Sequence, residues 1–347
     1  MEYLFVLSKE NIDIAIEEIL ALLNLNECIL IGNLLILNIK NHDKIKILKK
    51  RLAYAKCIYS LLFESSHKNF LKNMEDFEWN KIYKDNFCIR ANIINTIKND
   101  KIKLNYSEKN LASYVWKKVK NPKVDLKDPK TKIEIFFLKD KVLCCLLDAD
   151  IKKSFESRKS HLRPRPSPIS LHPKLARAMV NLTGIGRNET ILDPFCGSGG
   201  ILLEAGLMGL KSIGYDISKK MIWKSMVNLK HYKIKDYKLK VKDFFKINKK
   251  YKYVVSDLPY GLNTNIMKNI NIKKTNKNEM KNYLDKFYNK VVKKLEKILT
   301  KKAVIIFPSY ISYKKIIKKS KLKIINEFES YVHNNLTRKI VVLEPLN

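Results

Sequence analysis

Four aspartates close strand-like runs in the C-terminal half of the chain: Asp193 in ETILD, Asp216 in KSIGYD, Asp243 in YKLKVKD and Asp257 in YKYVVSD. Directly after the first, the stretch PFCGSGG sets Gly197, Gly199 and Gly200 ahead of the apolar helical pattern ILLEAGLMG. A strand ending in a carboxylate, then a glycine turn opening a helix, is the shape of a nucleotide-type cofactor site at the carboxyl edge of a sheet's first strand. The turn departs from a dinucleotide fingerprint, because Leu202 stands where a glycine would be needed and Asp193 would repel a pyrophosphate. S-adenosylmethionine carries no phosphate and has an ammonium that such a carboxylate can pair with, so the arrangement favours that cofactor.

Asp216, at the end of the next strand, is placed for two ribose hydroxyls, since one carboxylate can accept from both. Asp243 can accept from an adenine amino group while Phe244 covers a ring face, and Asp257 ends the fourth strand. Each aspartate taken singly could be an exposed helix cap. Four on one edge, each with a part to play, argue for a site.

Such residues need a sheet edge to hold them. Beyond residue 170 the pattern alternates regularly: helix LARAMVNL, strand TILD, helix ILLEAGLMG, strand KSIGYD, helix KKMIWKSMVNLKHY, strands YKLKVKD and YKYVVSD, a long amphipathic helix NYLDKFYNKVVKKLEKIL and strand AVIIFPS. Strands alternating with helices predict an α/β architecture with a doubly wound, largely parallel sheet. Upstream, residues 1–45 read as a small α+β unit. Residues 46–150 read as a second, with Ser107 as a helix N-cap and a hairpin turning at 139–141. Residues 151–170 carry most of a proline cluster, four of the ten lying between 164 and 173, and predict an extended connector.

Charge is spread unevenly. Residues 151–347 hold 43 basic and 14 acidic side chains, which supplies +29 of the formal net charge of +35. A field of that size attracts polyanions, nucleic acid above all. An AT-rich genome that favours lysine codons explains much of the same excess, since only eight of the 69 basic residues are arginine. Three of those eight, Arg158, Arg163 and Arg165, sit together in the connector and are the expected phosphate contacts. The six cysteines show no C-x-x-C spacing, so neither a metal site nor a disulfide framework is indicated. The acidic N-terminus and the lack of any long apolar run predict a cytoplasmic protein without a membrane span.

DPFCGSGG, GYD, KD and DLPYG, in that order and spacing, resemble the class I methyltransferases that modify exocyclic amino groups. SPISLHPKLARAMVNLTG and VHNNLTRKIVVLE narrow the resemblance to the archaeal THUMP-domain tRNA (guanosine-10 N2) methyltransferase family. The resemblance is strong over 160–261 and 333–344 and diffuse over 1–150. It implies a Rossmann-like class I methyltransferase domain over 171–347, with a seven-stranded, mostly parallel sheet, preceded by a ferredoxin-like part over 1–45 and a THUMP RNA-binding domain over 46–150. It also implies S-adenosylmethionine as cofactor and tRNA as partner, with no DNA or membrane partner, and leaves a monomer open.

On the matching positions, the family implies that Asp193, Phe195, Cys196, Gly197, Ser198 and Gly199 form the turn around the methionine part. Asp216 and Ile217 would serve the ribose side, and Asp243 and Phe244 the adenine. His172 and Pro173 would border the cofactor, while Asp257, Leu258, Pro259 and Tyr260 would form the pocket of the target base. The chemistry fits guanine N2, whose lone pair is delocalised into the ring. Acceptors on its hydrogens turn the lone pair toward an incoming methyl and take the proton as charge develops. Tyr260 would stack on a base taken out of its helix.

One position departs from the family motif: Leu258 stands where a first proline is usual. The acceptor expected there is a main-chain carbonyl, which leucine also provides, and Pro259 still biases residue 258 to the extended region. Other readings are guanine-N2 methylation elsewhere in tRNA, such as position 6, or in ribosomal RNA; adenine N6 methylation of DNA; and an RNA-binding protein with an inactive catalytic domain.

Overall fold

The computed structural model describes residues 1–94, 106–151, 153–167, 170–259, 277–333 and 336–346. The chain divides into two compact units. Unit 1 holds 1–12, 26–50 and 54–152, and unit 2 holds 13–25, 51–53 and 153–347.

Unit 1 is built on one seven-stranded sheet rather than two separate ones. In chain order its strands are β1 (Glu2–Leu7), β2 (Ile29–Ile31), β3 (Leu34–Asn38), β4 (Ala55–Ser65), β5 (Phe87–Ile93), β6 (Thr131–Phe137) and β7 (Val142–Asp150). They lie in the order β2-β3-β1-β4-β7-β6-β5, and pairing is antiparallel except between β5 and β6. The β1–β4 pairing joins the modules expected over 1–45 and 46–150 into a single sheet. Ser107 caps its helix as expected, its side chain accepting from Asn110 N at 3.1 Å.

Helix α1 (Ile12–Leu23) groups from Asp13 onward with unit 2, apart from the strands that flank it in the chain; α2 (Asp43–Arg51), α3 (Phe70–Asp76) and α4 (Glu108–Trp116) follow it. Buried polar side chains tie it there. Glu18, fully buried, accepts from Ala53 N at 3.0 Å and from Asn181 Nδ2 at 2.9 Å, and Asn181 Oδ1 in turn accepts from Arg51 Nε at 3.2 Å.

In unit 2 the strands are β8 (Thr190–Asp193), β9 (Lys211–Asp216), β10 (Tyr237–Val241), β11 (Tyr251–Asp257), β12 (Leu299–Pro308), β13 (Leu322–His333) and β14 (Leu336–Pro345). Their order is β10-β9-β8-β11-β12-β14-β13, with β14 antiparallel to both neighbours and the other contacts parallel. Helices α5 (Pro173–Leu182), α6 (Gly200–Leu207), α7 (Lys219–His231) and α8 (Lys277–Ile298) alternate with these strands. Helix α8 shows why they pack: Leu284, Tyr288, Val291, Val292, Leu295 and Ile298 recur at helical spacing on one face, and all are buried.

The chain winds from β8 outward to β9 and β10, then returns to place β11 on the other flank of β8. That reversal opens a crevice beyond the carboxyl ends of β8 and β11, where sheets of this kind hold their ligands. Asp193 and Asp257 are the last residues of those two strands.

Candidate active site

The turn between β8 and α6 is held by main-chain bonds. Cys196 N donates to Tyr215 O at 2.9 Å, and Gly199 N to Cys196 O at 2.8 Å. Gly199 stands at φ +86°, and a Cβ there would lie 2.4 Å from Ser225 Oγ. Gly199→Ala is therefore expected to cost about 1–2 kcal/mol for the left-handed backbone alone and to weaken cofactor binding by displacing the turn. Thermal melts and titration calorimetry check this, and adding Ser225→Gly should recover only the steric part. Gly197 also has a positive φ, +50°, but no atom lies within 4 Å of its would-be Cβ, so the main chain faces open space there.

Asp193 is 2% exposed, and its Oδ1 accepts from Ser256 Oγ at 2.9 Å and Phe195 N at 3.1 Å. Burial first, and then the charges of Asp216 and Asp257, push its pKa up to about 7. Asp216 is likewise raised by burial; its two oxygens accept from Ser218 N at 2.8 Å and Gly197 N at 3.0 Å. It thus braces the glycine turn, and each oxygen keeps a further lone pair for a hydroxyl. Among the described residues neither Asp193 nor Asp216 has a lysine or arginine partner. A cluster of desolvated carboxylates without a counter-cation fits a ligand that brings positive charge, as the ammonium and sulfonium of S-adenosylmethionine do.

Asp243 caps a short turn, accepting from Phe245 N at 2.9 Å. Phe244, expected to cover a ring face, is 3% exposed and packs against Phe195 with 5.0 Å between centroids. Apolar groups exposed near that edge include Phe245, at 37%, and Ile217, at 63%. Cys196 is buried against β9, its Sγ 3.0 Å from a would-be Cβ of Gly214, and burial holds its thiol well above the usual range. Ser198 is buried too; its Oγ lies 3.3 Å from Ser170 Oγ, and its carbonyl accepts from Asn228 Nδ2. His172 caps α5, its Nδ1 accepting from Lys174 N, and its Nε2 bonds to Glu156 at 3.0 Å.

At the end of β11, Leu258 is 1% exposed and belongs to the apolar core under the sheet. The carbonyl of Pro259 accepts from the Tyr288 hydroxyl at 3.0 Å, which ties this segment to α8. Tyr260 lies outside the described residues.

The three connector arginines part company. Arg158 grips the fully buried Glu204 of α6 through Nε at 2.8 Å and Nη2 at 3.3 Å, beside Arg177, whose Nε lies 2.8 Å from the same carboxylate. Arg163 is 3% exposed and donates through Nε to Arg158 O at 2.9 Å. Neither side chain is presented to solvent as a phosphate contact would require, and the connector packs through short turns at 156–158 and 160–162 instead of running extended. Only Arg165 remains at the surface. A lone glutamate in the apolar helix ILLEAG was the one sequence signal for this pairing. Ser256, Asn228 and Tyr288, which orient the site, carry no such signal.

The sheet order, the single antiparallel strand and the glycine turn facing strand-end carboxylates define a class I methyltransferase domain, a class that uses S-adenosylmethionine. The chain belongs to the family of RMKL-like methyltransferase domains, which matches residues 160–340, and within it to the archaeal proteins named tRNA (guanine(10)-N2)-dimethyltransferase. One such relative, from Pyrococcus abyssi, is 30% identical over 295 residues, covering 82% of this chain and 83% of that protein. Another, from Methanothermobacter thermautotrophicus, is 37% identical over 220 residues, which span 62% of this chain and 64% of the relative. A DNA methylase family also matches, over 16–226, a span that stops short of Asp243 and Asp257. The crystal structure of TrmN from Thermus thermophilus shares the fold, at 15% identity and a TM-score of 0.50 with both chains fully covered.

Proposed function

We propose that the protein methylates the exocyclic N2 amine of guanine at position 10 of tRNA, forming the monomethyl and then the dimethyl product, with S-adenosylmethionine as cofactor. The observation that carries this reading is the 30% identity to the Pyrococcus abyssi protein across 82% of the chain. That span holds more residues than unit 2 contains, so it takes in part of unit 1 as well as the catalytic unit. The DNA methylase match supports amino-group methylation but covers neither Asp243 nor Asp257. A tRNA substrate would put the work in the cytoplasm; among the described residues no helix is long and apolar enough to cross a membrane.

When bound, S-adenosylmethionine supplies an electrophilic methyl on a sulfonium. Asp193, steadied by Ser256 and Phe195 N, would meet the methionine ammonium, and the turn at Phe195, Cys196, Gly197, Ser198 and Gly199 would enclose that end. Asp216 would accept from the ribose; Ile217, Asp243 and the Phe244–Phe245 turn would border the adenine. Asp257 and the carbonyl of Leu258 would accept the two N2 hydrogens, and Asp257 would take the proton released as nitrogen gains the methyl. The Tyr288 hydroxyl donates to the Pro259 carbonyl, which ties down the segment that carries these two acceptors. With labelled cofactor and unmodified tRNA, digestion to nucleosides should yield N2-methyl- and N2,N2-dimethylguanosine; no transfer to any tRNA would contradict the proposal.

Asp193 makes cofactor binding pH-dependent. With a pKa of about 7 in the folded protein against about 4 for a free carboxylate, it holds its proton more tightly when folded. Stability of the unliganded protein therefore falls as pH rises from about 4 to about 7. A cationic ligand selects the ionised form, so cofactor affinity should rise about tenfold between about pH 6 and about pH 8. Calorimetry should show that rise in wild type and a flat profile in Asp193→Asn.

Leu258→Pro should leave turnover within about tenfold, roughly 1.4 kcal/mol in the barrier, because the acceptor is a carbonyl that both residues provide. Its melting temperature should nevertheless drop, since the substitution removes a buried core side chain. An inactive wild type that this substitution rescues would refute the assignment of the main-chain oxygen.

A further inference from the structure

The connector is clamped onto α7, and the clamp presents one arginine outward. Asn228, 1% exposed, accepts from Arg165 N at 2.9 Å through Oδ1 and donates through Nδ2 to Arg165 O at 3.1 Å and Ser198 O at 3.0 Å. Lys224 adds a bond to Pro166 O at 2.8 Å. The backbone of Arg165 is thereby fixed to the same side chain that holds the cofactor turn. Its guanidinium lies over the ring of Trp223, 4.5 Å from the centroid, and makes no hydrogen bond among the described residues. Trp223 is itself 44% exposed, unusual for the largest side chain on a soluble surface. Lys219, Lys220 and Lys230 are exposed one helical turn before and two turns after it, and the thirteen residues of α7 include no acid.

An arginine whose backbone is clamped and whose guanidinium is stacked has given up much of its side-chain freedom before any ligand arrives, so its donors are pre-organised. The sign of the surrounding charge selects a polyanion, and the planar guanidinium on an indole selects phosphate with an adjoining base or sugar face. We propose that Arg165 and Trp223, with the lysines of α7, form a docking platform for the RNA backbone. It rests on the reading of the protein as a tRNA methyltransferase and adds a surface on the catalytic unit to whatever unit 1 contributes. Because Asn228 links the platform to Ser198, RNA seated there is registered against the cofactor turn.

The test is binding of an unmodified tRNA transcript at several salt concentrations, with full-length wild type, Arg165→Ala, Arg165→Lys and Trp223→Ala. Arg165→Ala should weaken binding about tenfold and lower the salt slope by about one, as the loss of one phosphate contact does. Arg165→Lys should keep the slope and still lose affinity, since lysine neither stacks nor forks in the same way. Trp223→Ala should weaken binding with the slope retained. Cofactor affinity, measured by calorimetry, should stay at the wild-type value in all three, which separates a lost contact from a disturbed fold. Wild-type binding matched by Arg165→Ala in affinity and slope would overturn the platform alone. A wild type that binds tRNA no better than a neutral carrier would overturn the functional reading and the platform with it.

Discussion

Asp257→Ala is expected to lower kcat by about two to four orders of magnitude, the range found when a positioned acid–base group is removed, with cofactor affinity changed by no more than a few-fold. Asp257 is the last residue of β11, on the flank of β8 where the sheet order reverses, and its register is set by pairing with Ile306 of β12. A nitrogen whose lone pair is shared with a purine ring must lose a proton as it gains a methyl, and in the proposed mechanism Asp257 takes it. In the proposed arrangement the cofactor end would depend instead on Asp193 and Asp216, which have their own hydrogen-bond partners. Asp257→Asn keeps an acceptor oxygen without the charge and should fall between the two. Single-turnover rates at saturating cofactor check this, and near-wild-type turnover by Asp257→Ala would remove Asp257 from the mechanism.

The largest effect on stability is expected from Glu204→Ala. Its carboxylate is fully buried and is shared by Arg158 and Arg177, the latter only 4% exposed. Deleting it strands two guanidiniums in a low-dielectric environment, and breaking a buried pair in this way costs about 3–5 kcal/mol, a large part of the stability of an ordinary domain. Lys153, whose pKa burial already holds down at about 7, would lose a favourable charge as well. The denaturation midpoint should fall sharply. Replacing all three residues by apolar groups of similar volume should recover much of the loss, because the cost lies in the unpaired charges and not in the missing bond. A loss under about 1 kcal/mol would show that the network is effectively solvated.

Much of the site could be read from the chain because strands and their ends are local features. TILD, KSIGYD and YKYVVSD are apolar runs that stop at a carboxylate, and a parallel sheet brings such ends to one edge whatever the details of packing. The burial of Arg158 and Arg163 is not legible in the chain, for the opposite reason. Their burial depends on Glu204 and on Arg158 O, partners placed by the tertiary fold, so a basic run in a proline-rich stretch looks the same whether it is solvated or internal. The aromatic pair shows the same limit at closer range: Phe244 and Phe245 are adjacent, and only the direction of the turn after Asp243 decides which ring enters the core. Helix α1 is amphipathic in sequence, but nothing local says that its apolar face and Glu18 belong with Asn181 rather than with the strands on either side. Leu258 is an intermediate case. The extended backbone that would aim its carbonyl acceptor follows from the residue after it, whereas its place in the core under β11 does not.

The most direct test of the central claim replaces a single atom group in the substrate. Two tRNA transcripts, identical except that one carries inosine in place of guanosine at position 10, differ there only in the N2 amine. Incubated with the protein and labelled S-adenosylmethionine, the guanosine transcript should accept up to two methyl groups and the inosine transcript none. Equal transfer to both would place the chemistry at another atom and contradict the account.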